Sequence, residues 1–325
     1  MPLFFYVHTK NSVYLFNKTI KMLNNIKSEF TIKDLESFSG IKAHTIRIWE
    51  KRYSLFTPNR TDSNIRYYNI NQLLKLLNIS ILYKNNLKIS KIAAMSEEAI
   101  IEEARGFLRV KVENENILLA FKMAMINFDE KGFNDAFNEA VKNMGFREVF
   151  IQIFIPFLYE IGNLWQLHAI TPAHEHFISH LIKQKIHGAI ELLDFDALPD
   201  DKPYVLYLPP NEIHDIGLLY LHYELLSSGR KSIYLGQSVP LSNLKDLSAM
   251  YNEIDFVTYL TVEPSKESID SYVTSLETLV LDGTIGKLHI MGAKVQEYSA
   301  KFNNVHSYKG VEQFLLGFRE NEKNN

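Results

Sequence analysis

The order of apolar and polar residues divides the chain into three regions that differ in periodicity. From Phe30 to Ser90, short stretches repeat apolar residues every three or four positions, which predicts short helices. From Asn114 the same spacing continues through four longer stretches, which predicts a helical bundle. From Tyr204 onward, uninterrupted apolar runs alternate with amphipathic stretches, which is typical of buried parallel strands separated by helices.

The first region has the plan of a helix-turn-helix. Thr31 is a candidate N-cap for a helix that ends at Gly40, and a second helix is predicted over about 43–52. The second helix carries side chains that suit base edges and phosphates in a major groove, namely His44, Thr45, Arg47, Lys51 and Arg52. This pattern predicts a recognition helix.

A hairpin is predicted directly after the second helix. In the stretch TPNRTDSNIRYY, the Pro, Asn, Asp and Ser residues favour a tight turn, and Arg60, Arg66 and Tyr67 lie beside it. Two arginines next to a recognition helix predict a wing that contacts the neighbouring DNA backbone. Asn69 is a candidate N-cap for the helix that completes this unit.

The joint between the third and fourth bundle helices concentrates unusual residues in the stretch WQLHAITPAHEHFISH. Thr171 and Pro172 suit the N-cap and the first position of a helix, which puts Glu175 and His176 in its first turn. The preceding helix ends near Trp165, so the tryptophan and the Glu-His pair are predicted at the same end of the bundle. There they can face one ligand.

Two other interpretations of these histidines stay open. His176 and His180 are four residues apart on one helical face and His187 lies two turns further, so a zinc site is geometrically possible. The histidines can also be ordinary residues of an amphipathic helix.

The C-terminal region predicts a doubly wound α/β domain with ligand-binding loops at the carboxyl ends of its strands. The loop after its first strand reads NEIHDIG. There His214 can present one ring nitrogen to a metal while Glu212 accepts the proton of the other, and Gly217 leaves space at the helix start. Alone, this pattern is weak, because most single loop histidines have structural roles.

Composition changes this picture in two respects. The 325 residues are 46% hydrophobic and 22% charged and include no cysteine, which fits a globular protein of the cytoplasm and excludes disulfides and thiolate metal sites. The net charge is −3, yet residues 30–90 hold ten basic against four acidic side chains. The basic region therefore suits a localised contact with DNA. Lysines interrupt the apolar N-terminal stretch before it reaches a membrane span, so no membrane contact is expected.

The motifs resemble known families. Residues 44–68, HTIRIWEKRY through PNRTDSNIRYY, resemble the DNA-binding domain of the MerR family of transcription regulators. The loop at Glu212, His214 and Gly217, with Thr258, Leu260 and Gly292, resembles the cobalamin-binding fold, whose usual pattern is Asp-x-His-x-x-Gly, Ser-x-Leu and Gly-Gly. Ala293 replaces the second glycine of that pattern.

Together these domains resemble the light-responsive, cobalamin-dependent repressors of the CarH and LitR type, in which the bundle carries Trp, nine residues and then Glu-His. Trp165, Glu175 and His176 match that spacing. The resemblance implies adenosylcobalamin as cofactor, with His214 as the lower cobalt ligand and His176 as the upper ligand after photolysis. Trp165 would pack against the adenosyl group and Glu175 would hydrogen-bond to it, while Thr258, Leu260 and Gly292 would line the slot for the nucleotide tail.

The fold class that follows is multi-domain α and α/β, with a MerR-type winged helix-turn-helix, a four-helix bundle and a doubly wound, flavodoxin-like cobalamin-binding domain. The expected limits are an N-terminal extension (1–29), the DNA-binding domain (30–96), a linker (97–113), the bundle (114–196), the α/β domain (203–320) and a disordered tail (321–325). The expected partners are a double-stranded DNA operator and further copies of the chain in a dimer or tetramer, and the expected protein is not an enzyme.

Three alternatives remain at this point. One is a MerR-type regulator whose degenerate α/β domain binds no cobalamin and takes a protein or another ligand as its input, as Thr258 and Ala293 suggest. The second is a cobalamin-dependent enzyme such as a methyltransferase subunit, which would share the bundle and the α/β domain. The third is a zinc-binding regulator that uses His176, His180 and a neighbour.

Overall fold

The structure is a computed structural model that describes residues 27, 29–110, 114–194, 202–265, 268–281, 285–299 and 302–316. Most of the predicted N-terminal extension and the whole predicted tail lie outside these residues. The chain packs as two compact units, which divide between Leu181 and Ile182. The predicted domain limits stay predictions.

The N-terminal part of the first unit is a winged helix-turn-helix. Its elements are β1 (Glu29–Phe30), α1 (Ile32–Ser39), α2 (Ala43–Tyr53), β2 (Asn59–Arg60), β3 (Arg66–Asn69), α3 (Ile70–Lys84) and α4 (Ile89–Ala93). The three short strands form one antiparallel sheet in the order β1-β3-β2.

Local signals in the sequence fix the ends of these helices. Thr31 and Asn69 both form capping boxes, in which the side chain accepts a hydrogen bond from the third helical amide while the third side chain accepts one from the cap amide. Gly40 ends α1 with a φ of 73°, a left-handed conformation that suits glycine. The helix-turn-helix and its wing are therefore present as the sequence predicts.

The segment predicted as a linker is different, because it contains helix α5 (Glu97–Val110). Ile100 and Ala104 of α5 are buried, and the helix packs against α3. The many glutamates of this segment lie on the outer face of an amphipathic helix and do not mark a flexible connection.

Helices α6 (Asn114–Asn127), α7 (Glu130–Met144), α8 (Phe146–Val149), α9 (Ile155–Gln166) and α10 (Pro172–Glu191) form the bundle. A π-helical turn, Phe150–Phe154, joins α8 to α9, so the three segments run as the predicted third helix. Buried aromatic rings fill the interior of the bundle, with the centroids of Phe121 and Phe133 4.7 Å apart in a stacked arrangement.

The second unit contains a five-stranded parallel sheet. Its elements are β4 (Tyr204–Tyr207), α11 (Ile216–Ser227), β5 (Ser232–Gly236), α12 (Leu241–Ser248), β6 (Asp255–Tyr259), α13 (Ile269–Leu276), β7 (Leu288–Met291), β8 (Val305–Tyr308) and α14 (311–316). The strand order β5-β4-β6-β7-β8 is the flavodoxin-like order, which confirms the predicted fold class. Ligands of such sheets bind where the order reverses, which here is between β4 and β6.

Candidate functional site

Glu212 is the structural centre of the loop that follows β4. Its side chain is fully buried. Oε1 accepts hydrogen bonds from the backbone amides of Ile213 at 3.0 Å and His214 at 3.1 Å, and a third from His214 Nδ1 at 2.5 Å. Oε2 accepts hydrogen bonds of 2.7 to 3.1 Å from three backbone amides in the loop after β6, those of Thr261, Val262 and Glu263. One carboxylate thus holds together the two loops at the point where the strand order reverses.

Electrostatics keep this carboxylate ionised. Burial alone would raise the pKa of Glu212, but the hydrogen bonds from His214 and from the amides of Val262 and Glu263 outweigh burial and lower the pKa to about 2. An ionised carboxylate can only accept, so His214 donates from Nδ1. Such a histidine is oriented to bind a metal.

His214 lies where a ligand can reach it, because its side chain is 51% exposed at the carboxyl end of the sheet. The next residue, Asp215, forms a 2.5 Å ion pair with Lys183 and accepts a hydrogen bond from Tyr234 at 3.4 Å. Burial and Asp215 raise the pKa of the Tyr234 hydroxyl, which keeps it protonated. These contacts fix the backbone beside His214.

The remaining predicted residues of the α/β domain also lie at this end of the sheet, but the space beside Gly217 is filled. A Cβ at Gly217 would lie 3.1 Å from the ring of Tyr259, which therefore packs on the glycine backbone. Gly292 has a φ of 107° and lies so close to the Leu260 carbonyl that a Cβ would be 2.4 Å from its oxygen. Thr258 is fully buried. The glycines serve packing within the protein, and a ligand that entered at Gly217 would have to move Tyr259.

The bundle holds its candidate residues at one end, since α9 ends at Gln166 and α10 begins at Pro172. Trp165 and His176 are exposed, and Glu175 accepts a hydrogen bond from Ser179 at 2.8 Å while lying 3.2 Å from His176 Nδ1. Within the described part of the chain, no three His, Asp or Glu side chains converge on a common metal position.

His174 has a structural role that the sequence did not indicate. Its Nδ1 accepts the Thr171 amide at 3.2 Å, as the third residue of a capping box does, and its ring stacks on Phe128 with centroids 4.8 Å apart. Burial lowers the pKa of His174 to about 4 and so keeps its ring neutral. Among the clustered histidines, this one supports the start of α10.

The recognition helix exposes the residues that were predicted to face DNA. His44, Arg47, Lys51 and Arg52 are exposed, while Thr45 is half-buried with its hydroxyl 3.3 Å from His44 Nε2. A groove of about 410 Å³ lies beside them, lined by Thr31, Ile32, Lys33, Arg47, Asn64, Ile65 and Arg66. Lys33 and Ile65 were not predicted for this surface.

The two arginines of the wing are both held by neighbours. They pair across the hairpin, and Arg60 donates to Asn64 Oδ1 at 2.7 Å. Arg66 donates to Glu50 Oε1 at 3.2 Å, and the hydroxyl of Tyr68 donates to the other oxygen of Glu50. Glu50 thus fixes the wing to the recognition helix, while Tyr67 is half-buried on β3. Sequence reasoning did not predict this role of Glu50 either.

Comparison with known protein families matches residues 30–99 to MerR HTH family regulatory proteins and residues 118–187 to the B12 binding domain. The second match lies on the bundle. The chain therefore combines a domain of the MerR HTH family with a B12 binding domain. No helix among the described residues is both long and apolar enough to cross a membrane.

Several known proteins are similar to this chain. The HTH-type transcriptional repressor CarH of Myxococcus xanthus is 24% identical over 88% of this chain and 96% of its own length. The repressor CarA of the same organism is 24% identical over 66% of this chain and 70% of its own length. Among solved structures, the monomethylamine corrinoid protein of Methanosarcina barkeri aligns at 13% identity with a TM-score of 0.46, over 64% of this chain and 100% of that one.

Proposed function

We propose that this protein is a DNA-binding repressor that senses adenosylcobalamin and light, and that it responds by a change in the number of associated copies. The observation that carries the proposal is the Glu212–His214 hydrogen bond at the carboxyl end of β4, in a chain that also has a MerR-type helix-turn-helix. A histidine that a buried carboxylate orients in this way suits a metal ligand.

The side chains that would contact such a cofactor suit it, and the cofactor would have to move the Tyr259 ring from Gly217. His214 would hold cobalt from below through Nε2, and Glu212 keeps Nδ1 protonated and the ring in place. Trp165, whose indole is exposed, and Glu175 would contact the adenosyl group. His176 would be the cobalt ligand in place of that group after illumination. Adenosylcobalamin would supply a cobalt–carbon bond that light cleaves.

The position of His176 favours that role. It lies in the first turn of α10, and its side chain is exposed at the same end of the bundle as Trp165. Lys51, Arg52 and the other basic residues of the recognition helix would hold the operator in the dark.

DNA affinity would follow from assembly. One helix-turn-helix neutralises only a few phosphates, whereas linked copies on adjacent half-sites gain from a high effective concentration. Loss of the assembly on illumination would therefore release the operator.

The test is size-exclusion chromatography of the purified protein with adenosylcobalamin, with visible absorption recorded in the dark and after green illumination. The proposal expects colour in a large species that becomes smaller after illumination. His214→Ala should abolish the histidine-ligated spectrum, and His176→Ala should change only the illuminated spectrum. His180→Ala, one helical turn from His176, is the matched control and should behave like the wild type.

A second candidate is a MerR-type regulator whose α/β domain responds to something other than cobalamin. The observation in its favour is the Tyr259 ring over Gly217, in a domain where Ala293 replaces the second glycine of the usual cobalamin-binding pattern. It predicts that no corrinoid elutes with the protein while DNA binding is retained.

A further inference from the structure

The exposed face of the recognition helix contains one large apolar residue. Ile48 is 52% exposed, whereas Ile46 and Trp49 on the opposite face are buried in the core. At helical spacing, Ile48 lies one turn after His44 and one turn before Lys51, and Arg47 is its neighbour in sequence. A branched apolar side chain thus lies in the middle of a basic surface.

The surroundings of Ile48 indicate what covers it. Single exposed apolar residues are common on protein surfaces, so exposure alone carries little information. Here the neighbouring cations would draw this helix face onto a polyanion and into the major groove, where Ile48 would lose its contact with water. In that groove thymine is the base that presents an apolar group, its C5-methyl.

We propose that Ile48 contacts the C5-methyl group of a thymine in the operator and so makes thymine the preferred base at that position. This inference rests on the proposed function only in assuming that the helix-turn-helix binds DNA. It does not depend on cobalamin or on light.

The test has two arms, one that removes the thymine methyl group from the DNA and one that shortens the side chain of Ile48. Full-length wild-type protein first selects its sites from a pool of random duplexes, and each thymine of the selected site is then replaced by uracil, which lacks only the methyl group. At one thymine per half-site, this replacement should weaken binding by about fourfold, the effect of one buried methyl group. Other thymines should tolerate the replacement.

The protein side uses three variants at fixed salt. Ile48→Ala should bind the thymine operator more weakly and should no longer distinguish thymine from uracil at that position. Ile48→Val keeps a branched side chain and should retain part of the discrimination. Ile285→Ala is the matched control, because it shortens an exposed isoleucine that lies outside the DNA-binding domain, and it should keep the discrimination.

The outcomes separate this inference from the proposed function. If Ile48→Ala weakens binding equally with thymine and with uracil at every position, Ile48 contacts the sugar-phosphate backbone and the inference is wrong. The inference is also wrong if wild-type binding ignores uracil at every thymine. If the wild type selects no DNA at all, the proposed function itself fails.

Discussion

Lys122 and Glu160 form an ion pair of 2.6 Å between helices α6 and α9 of the bundle. The lysine is almost fully buried, and its ammonium group also donates to the carbonyl oxygen of Phe38, at 3.3 Å, near the end of α1. At the other end of α1, Lys27 contacts Asp34 at 3.0 Å and donates to the carbonyl oxygen of His168 at 2.9 Å. Two lysines therefore join the first helix of the DNA-binding domain to the bundle.

Replacing Lys122 with Met should lower the free energy of unfolding by about 1 to 3 kcal/mol, because it leaves the Phe38 carbonyl without this donor and Glu160 without its cation. Urea denaturation followed by circular dichroism measures the loss. Lys131→Met is the matched control, since both side chains of the Lys131–Asp135 pair are exposed. That variant should change stability by less than about 0.5 kcal/mol, and an equal loss in both variants would contradict the role assigned to Lys122.

Gly292→Ala should destabilise the second unit by more than about 2 kcal/mol, since the new Cβ would collide with the Leu260 carbonyl in a backbone conformation that suits only glycine. Gly188→Ala provides the comparison, because it lies in helix α10 with no atom near the new methyl group. Alanine in the helix should stabilise the protein by up to about 1 kcal/mol. Thermal unfolding of the two variants should move in opposite directions.

Glu212→Gln should loosen the loops after β4 and β6, because an amide cannot accept all the hydrogen bonds that the carboxylate receives. We expect faster hydrogen exchange at the amides of residues 261–263 in the variant, measured by mass spectrometry without any cofactor. Glu253→Gln, which changes an exposed carboxylate in the same domain, should leave that exchange unchanged. Unchanged exchange in both variants would show that other contacts hold the loop.

His222 should make stability depend on pH. Burial, with a contribution from His187, lowers the pKa of His222 to about 4, whereas an unfolded histidine titrates near 6.5. Between these pH values His222 is protonated in the unfolded state and neutral in the folded state. The contribution of the neutral ring to the free energy of unfolding is therefore fully present at pH 7 and decreases as the pH falls from about 6.5 to 4.

His222→Gln tests this prediction, because the variant lacks the titrating ring. The wild type should lose about 2 kcal/mol more stability than the variant between pH 7 and pH 5. Denaturant unfolding at the two pH values measures the difference. Parallel pH profiles for the two proteins would rule out the neutral, buried state of His222.

Tyr259→Ala should increase the affinity for cobalamin if the nucleotide tail needs the space over Gly217 that the ring fills. Cobinamide, which lacks the tail, serves as the control ligand, and its affinity should change less. Absorption titration of both corrinoids measures the two affinities. An equal change for both would mean that Tyr259 contacts the corrin ring and leaves the tail free.

Much of the fold could be predicted from the sequence because its signals are local. The caps at Thr31 and Asn69 and the left-handed Gly40 each depend on a few neighbouring residues. Helix α5 was missed because its charged residues resemble a linker, and its burial against α3 depends on tertiary packing. Strand β8 was missed because it is a half-buried edge strand that lacks a continuous apolar run.

The candidate site divides in the same way. The hydrogen bond between Glu212 and His214 follows from a spacing of two residues and is present in the structure. The hydrogen bonds between Glu212 and the loop after β6 join residues about fifty positions apart, and no local sequence pattern predicts them. The hydrogen bond between Arg66 of the wing and Glu50, and the position of Tyr259, depend on tertiary geometry as well.

The hydrogen bonds of Glu212 to the loops after β4 and β6 also have an evolutionary consequence. The families that this loop resembles usually have aspartate at that position, which is shorter by one methylene group. A lineage that exchanged the two residues without altering the loop at 261–263 would pass through a protein with unpaired amides. Residue 212 and that loop should therefore vary together among descendants, and the length of this side chain should mark separate branches of the group.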